Sequence, residues 1–152
     1  MNEIYKIAKE YVDSFGEVYP GYKYGYSDLR EFSFKYYFDF IFLSIDNQIP
    51  TEPLVAGGAC GFIIDKKTKE IEVLTFCDLG ELEDSEKELE ELYEKLLEIK
   101  EESKSLMWLK SKYNLSSHQL LRVKKIIHQT SFIKEKIKEQ LNELITTANM
   151  LP

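Results

Sequence analysis

Few side chains in this sequence could act as nucleophiles, proton-transfer groups or metal ligands. There are two cysteines, Cys60 and Cys77, and two histidines, His118 and His128. A nucleophilic cysteine needs a positioned base and a lowered pKa, and a structural zinc site needs four closely spaced Cys or His ligands. Neither histidine is close to a cysteine along the chain. We therefore expect no catalytic activity, no metal site and no cofactor.

Carboxylates are far more numerous, and they concentrate in residues 81–102. This segment holds 11 acidic residues and 3 lysines, a net charge of −8. A solvated helix face is one explanation, because charged residues mostly lie in water. A negative surface can also recruit a basic protein by raising the encounter rate. On that second explanation, the predicted partner-binding acids are Glu83, Asp84, Glu88, Glu91 and Glu94.

A second candidate for binding is the tyrosine-rich segment VYPGYKYGYSD. It is interrupted by Pro20, Gly21 and Gly25, which predicts a loop or a short irregular strand. Tyrosines between glycines and charged residues are typical of binding loops, because the ring offers a large contact area and the hydroxyl tolerates water. The predicted partner-binding tyrosines are Tyr22, Tyr24 and Tyr26. Alternatively, these rings cover the edge of a small sheet.

The two ends of the chain differ in charge. Residues 1–102 hold 24 acidic and 11 basic side chains, whereas residues 103–152 hold 3 acidic and 9 basic ones. The stretch LKSKYNLSSHQLLRVKKIIHQ resembles a helix–turn–helix in outline, with Arg122, Lys124 and Lys125 on its second helix. However, its turn lacks the usual glycine and the acidic remainder would repel phosphate. Nucleic-acid binding or a regulatory role is therefore the alternative, and basic helices folding back on the acidic one are favoured.

Two N-terminal patterns predict a helix followed by a strand. Apolar residues recur at helical spacing after the N-cap Asn2 and stop at Gly16, which predicts a helix over 3–15. Residues 31–45 instead alternate with a period of two and are rich in aromatic rings, which predicts one strand or two strands joined by a bulge. We expect its even-numbered face, from Phe32 to Phe42, to be buried against the helix and the following hairpin.

The stretch AGGACGFIIDKKTKEIEVLTFC predicts that hairpin, with strands over 59–65 and 70–77. A symmetric turn would pair Ile64 with Ile71 and Phe62 with Val73. Cys60 and Cys77 would then lie on the buried face as two packed thiols rather than a disulfide.

Helical periodicity begins at Leu82 and continues to about Asn149. Ser103 can cap a second helix that Asn114 ends, Ser116 or Ser117 starts the next helix, and Thr130 or Ser131 starts the last one. The predicted fold is α+β. An N-terminal helix packs on an antiparallel sheet of three to four strands, and a C-terminal all-helical subdomain follows. The predicted division is 1–80 for the helix-on-sheet part and 81–152 for the helical part.

The chain carries no sign of membrane insertion. Its first residues mix charged and apolar side chains, and its longest apolar run is far shorter than the roughly 20 residues that a membrane helix needs. We expect a cytoplasmic protein without membrane association.

The hairpin phrase also matches a known pattern, (A/V)-G-G/N-x-x-x-(I/F)-(I/V)-(V/I)-D-K-x-T-G-x-I. The residues that fit it are Ala56, Gly57, Gly58, Ile63, Ile64, Asp65, Lys66, Thr68 and Ile71, while Lys69 stands where the pattern has a turn glycine. In this respect residues 3–78 resemble the YrhB-type and related helix-on-sheet immunity proteins of bacterial toxin systems. The resemblance implies a small non-catalytic protein that binds and inhibits a cognate toxin. The acidic composition would suit a basic, nuclease-like toxin.

Overall fold

The N-terminal residues form an amphipathic helix, α1 (Asn2–Asp13), in a computed structural model that describes residues 2–50, 59–102, 106–129 and 132–150. Ile4, Ala8 and Val12 lie on its buried side. The helix ends two residues earlier than predicted. The Ser14 hydroxyl donates to the Tyr11 carbonyl at 2.6 Å, which satisfies a terminal acceptor, and Gly16 then adopts a φ of 62°.

Five antiparallel strands follow, and they pair in sequence order into one sheet. Their bounds are β1 (Glu17–Tyr19), β2 (Tyr22–Glu31), β3 (Lys35–Ser44), β4 (Gly61–Asp65) and β5 (Ile71–Leu74). The helix and the antiparallel sheet confirm the predicted α+β class. The sheet is larger than predicted because the tyrosine-rich segment supplies β1 and the ten-residue strand β2.

The aromatic segment 31–45 is one strand preceded by a turn. Residues 32–34 connect β2 to β3, and the Phe32 N–H donates to the Lys35 carbonyl at 2.8 Å. The prediction that Phe32 shares a face with Phe38 and Phe42 is therefore wrong. The alternation that begins at Phe32 in the sequence crosses a chain reversal, which a period of two cannot reveal.

Helix α1 covers one face of the sheet, where the first core cluster lies. Ile4, Ala8 and Val12 pack there with Phe38, Phe62 and Ile64. The Phe38 ring is fully buried, with its centroid 5.1 Å from that of Tyr26 and 5.4 Å from that of Phe62. Burial against the helix and the hairpin is therefore confirmed for Phe38, whereas Val73 of the hairpin is 43% exposed on the edge strand β5.

The opposite face of the sheet is also buried, which the sequence analysis did not predict. Phe32, Tyr37, Cys60, Ile63 and Leu74 form a second cluster there, covered by Leu79 and Leu82. The Tyr37 hydroxyl donates to Asp39 Oδ1 at 2.8 Å and lies 3.2 Å from Cys60 Sγ. Burial, followed by these hydrogen bonds, raises the pKa of Tyr37 well above its usual range.

The hairpin between β4 and β5 has the predicted register, with Ile64 opposite Ile71 and Phe62 opposite Val73. Asp65 Oδ1 accepts from the backbone N–H groups of Lys67 and Thr68, both at 2.8 Å. Lys69, at the position of the glycine in the immunity-protein pattern, adopts a left-handed φ of 64°. The turn therefore keeps the conformation for which glycine is preferred.

The two cysteines do not share a face. Cys60 precedes β4 and belongs to the second cluster with Tyr37, while Cys77 is exposed on a helix. That helix is α2 (Phe76–Glu102), which begins where a strand was predicted. Thr75 Oγ1 accepts from the Asp78 N–H at 3.1 Å, and Asp78 Oδ2 accepts from the Thr75 N–H at 3.0 Å. This reciprocal cap starts the helix at Phe76 and ends β5 at Leu74.

The chain divides into two compact units, residues 1–83 and 84–152, and the boundary falls within α2. The second unit contains the rest of α2 with α3 (Met107–Tyr113), α4 (Ser117–Ile127) and α5 (Lys134–Met150). Asn114 ends α3 with a φ of 51°, and Ser116 caps α4 through Gln119, as the sequence predicted. The predicted start of the last helix at Thr130 or Ser131 lies outside the described residues. None of the helices described is both long and apolar enough to span a membrane.

Replacing Phe38 by Ala should destabilise the first unit by about 3–5 kcal/mol, because it removes a buried ring that contacts rings on both sides. Urea unfolding monitored by the near-ultraviolet circular dichroism of tyrosine would measure this, since eight of the ten tyrosines belong to the first unit. Phe76→Ala is the control, because the Phe76 ring is 73% exposed. Equal stability of the two variants would contradict the assigned core.

Gly61→Ala should also be strongly destabilising, by at least about 3 kcal/mol. A Cβ at this position would overlap the carbonyl oxygen of Phe38 and the hydroxyl of Tyr37. Gly80→Ala in α2 provides a matched control, because nothing lies within 4 Å of the added methyl. That control should gain about 0.5–1 kcal/mol from helix propensity. A folded Gly61→Ala protein with an unchanged urea midpoint would refute the close approach.

Candidate binding surfaces

The predicted tyrosines lie on strand β2, which is a ten-residue strand rather than the predicted loop or short irregular strand. Tyr24 stacks on Phe42 with ring centroids 5.0 Å apart, and Tyr26 meets Phe38 edge to face at 5.1 Å. Tyr24 and Tyr26 pack against the first core cluster, and all three tyrosines, Tyr22 included, are half-buried. Their rings therefore contribute to the fold, and the largest exposed ring surface lies elsewhere.

Phe15 and Tyr19 expose more ring surface than these tyrosines. They are 44% and 52% exposed, beside the Tyr24 and Phe42 rings respectively. Phe15 was expected to be the last residue of the predicted helix 3–15. Because α1 ends at Asp13, Phe15 instead lies in the turn that follows, where half of its ring meets solvent.

The predicted acids are all exposed. Glu83 is the last residue of the first unit, where its Oε1 lies 3.2 Å from Arg30 Nη1. Four others belong to α2 in the second unit, at spacings of four, three and three residues that bring them to one side of the helix. We call this set the acidic face, and its members are Asp84, Glu88, Glu91 and Glu94. Apolar residues on the opposite side of α2, among them Leu89, Leu92 and Leu96, are buried.

A different set of α2 carboxylates is neutralised within the second unit. Lys138 is buried on α5, its Nζ donates to Glu90, and it lies 3.9 Å from Glu86. Lys134 adds a further pair with Glu90 at 3.5 Å. The hydrogen bond from Lys138 is the largest cause that lowers the pKa of Glu90. Basic side chains of α5 therefore meet acidic ones of α2, which was the favoured explanation for the uneven charge.

The acidic face has no comparable lysine partners among the described residues. Glu88 Oε1 accepts from the Tyr113 hydroxyl at 3.4 Å, and burial together with this carboxylate raises the pKa of Tyr113 to about 12. Within the parts of the chain that the structure describes, no lysine or arginine nitrogen lies within 4.0 Å of the Asp84, Glu91 or Glu94 carboxylates. Their charges are therefore directed to solvent.

The chemically reactive groups belong to different units. Cys60 is buried in the first unit, whereas His118 and His128 are exposed on the second. Among the described residues, no three His, Cys, Asp or Glu side chains gather where they could hold a metal ion. The cysteine contacts a tyrosine hydroxyl and a backbone carbonyl, neither of which is a base suited to activating it.

The three cations of the helix–turn–helix outline do not share one face. Helices α3 and α4 exist as outlined, but Arg122 and Lys125 border a depression with Gln140. Lys124 lines a different cavity on another side of α4. A recognition helix presents its contacts along one side, so this distribution argues against a nucleic-acid interface.

That cavity is an open groove of about 800 Å³, and the sequence analysis missed it. We call it the α4 groove; its lining is Ile99, Lys100, Leu106, Met107, Ser117, Leu120, Leu121, Lys124, Ile127 and His128. The available signal was the pair Leu120-Leu121, because adjacent residues lie about 100° apart around a helix and therefore widen the apolar side of α4 beyond its buried stripe. Leu121 is indeed 55% exposed.

No family model matches the chain, and no curated protein or solved structure shows a significant match to it. Any functional assignment therefore depends on the surfaces described above.

Acid should weaken the second unit through Glu90. Its pKa is lowered by folding, so its ionic contribution is full above the ordinary value of 4.5 and is lost as the pH falls toward the lowered value. Glu90→Gln should therefore reduce the urea midpoint at pH 7, and this deficit should shrink below pH 4.5. The fluorescence of Trp108, the only tryptophan, would report the transition. Glu94→Gln is the control, because it removes an exposed carboxylate from the same helix. An equal deficit of the Glu90→Gln variant at all pH values would contradict the assigned pairing.

Proposed function

We propose that this chain is a non-catalytic binding protein that inhibits a basic protein partner, in the manner of an immunity protein that neutralises a toxin. The observation that carries the proposal is the acidic face of α2, whose carboxylates are exposed while other acids of the same helix are paired with lysines. Solvation would account for the exposure of these acids, but their grouping on one side of the helix is what a cationic partner would require.

The size of the acidic face supports recognition of a protein. Asp84 and Glu94 are ten residues apart, which corresponds to about 15 Å along a helix. A row of charges of this length can steer a cationic surface and raise the association rate by roughly 10-fold to 1,000-fold at low salt. The helix is held by its buried opposite side, so the charges are presented on a rigid element.

The closely packed aromatic interior of the first unit also favours binding over catalysis. Aromatic rings of β2 and β3 pack against each other and against α1, and the thiol of Cys60 is enclosed with Tyr37. These groups stabilise the sheet, so recognition falls to the charged exterior. The likeness of the β4–β5 hairpin to that of immunity proteins adds to this proposal, and the left-handed Lys69 keeps the turn compatible with the pattern.

The experiment is co-expression with the product of the neighbouring gene, scored as rescue of growth and as direct binding. Glu91→Gln combined with Glu94→Gln should slow association by about tenfold at low salt, and added salt should reduce that difference. Stopped-flow or surface plasmon resonance measurements at two salt concentrations would provide these rates.

Glu135→Gln combined with Glu139→Gln is the matched control. Both residues are exposed acids on α5, so the net charge changes equally while the acidic face is intact. The control should associate at the unaltered rate. Loss of binding in both double variants to the same extent would assign the effect to net charge alone, and absence of both binding and rescue in the unaltered chain would reject the proposed function.

A further inference from the structure

The α4 groove combines an apolar lining with cations, unlike the acidic remainder of the chain. Met107 and Leu121 are 61% and 55% exposed, so the apolar lining of the groove is open to solvent. A volume of about 800 Å³ lies within the range of small-molecule sites, roughly 300–1,000 Å³. Such sites are typically apolar, with a few polar groups that orient the ligand.

The ammonium and imidazole groups of the groove gather at one end of α4. Lys124 and His128 are four residues apart, one helical turn, at the C-terminal end of the helix. Lys100 reaches the same turn, because its Nζ donates to the carbonyl of Ile127 at 2.8 Å. The leucines at 120 and 121 lie one turn earlier, so the lining of α4 changes from apolar to cationic along its axis.

Lys100 also changes what this helix end can bind. The C-terminus of a helix carries partial negative charge and would by itself disfavour an anion. The ammonium of Lys100 offsets that charge at the Ile127 carbonyl, and it keeps further donors because an ammonium has three. The result is a cationic end next to an apolar channel.

We propose that the α4 groove binds a single-chain amphiphile with an anionic head group, of the class of long-chain fatty acids. The hydrocarbon chain lies along Met107, Leu120 and Leu121, and the carboxylate lies among Lys100, Lys124 and His128. The separation of apolar and cationic lining favours this occupant. An acidic amphipathic helix would need cations along its whole length, whereas a fatty acid has a single charge at one end.

The test is isothermal titration calorimetry of the full chain with dodecanoate below its critical micelle concentration. Dodecanoate should bind with one-to-one stoichiometry, and it should alter the fluorescence of Trp108, which adjoins Met107. Butyrate should not bind measurably, because its chain is too short to fill the apolar lining. Dodecyltrimethylammonium, with the same chain and a cationic head, should bind at least about tenfold more weakly because it meets like charge.

Two charge reversals on the same helix provide the matched comparison. Lys124→Glu should weaken dodecanoate binding by about tenfold, because it replaces an attractive charge at the head group with a repulsive one. Lys125→Glu makes the same change in net charge at an exposed position outside the groove, and binding should remain within about twofold. Leu121→Gln, also at an exposed position, should weaken binding because it removes an apolar contact with the hydrocarbon chain of dodecanoate.

Failure to bind dodecanoate would overturn the proposal, as would equal binding of the cationic amphiphile. Equal weakening by Lys124→Glu and Lys125→Glu would also overturn it, since the effect would then not belong to the groove. Binding of an acidic peptide with the sequence of residues 81–102, without binding of dodecanoate, would overturn the proposal as well. None of these assays contains a protein partner, so their failure leaves the proposed inhibition of a basic protein unaffected.

Discussion

Strand β3 carries large rings on both of its faces, and this alternation constrains the rest of the first unit. Successive side chains of a strand point to opposite sides of the sheet, so the fully buried neighbours Tyr37 and Phe38 require a cover on each side. Helix α1 covers the Phe38 side, and the start of α2 covers the Tyr37 side through Leu79 and Leu82. A sheet with one solvent-exposed face could not bury both of these rings.

Burial of Tyr37 imposes further requirements on its neighbours. A buried hydroxyl needs a partner, and Asp39 on the same strand supplies the acceptor at 2.8 Å. The ring end lies against Gly61, where the backbone of β4 can approach because no Cβ is present. The aromatic content of the chain is thus largely used in packing the interior, and charged side chains dominate what the protein presents outside.

Helix α2 shows how one element can use its charges in two ways. Its buried side contributes Leu79 and Leu82 to the first unit and Leu89, Leu92 and Leu96 to the second. Glu86 and Glu90 are paired with Lys138, whereas among the described residues no lysine or arginine pairs with the acidic face. A buried ammonium must be paired to avoid the cost of desolvation, so these carboxylates serve stability. The carboxylates of the acidic face are instead exposed to solvent, so they suit recognition of a partner.

The local patterns of the sequence determined much of the secondary structure. The helix over 3–15, the register of the β4–β5 hairpin, the stop at Asn114 and the cap at Ser116 all depend on residues close together along the chain, so periodicity and turn chemistry predict them. The second core around Tyr37, which also contains Phe32 and Cys60, was decided only in three dimensions. The same holds for the separation of paired from exposed acids and for the α4 groove. Each of these features depends on which distant segment of the chain packs against a residue. The pattern of residues along the sequence does not specify that segment.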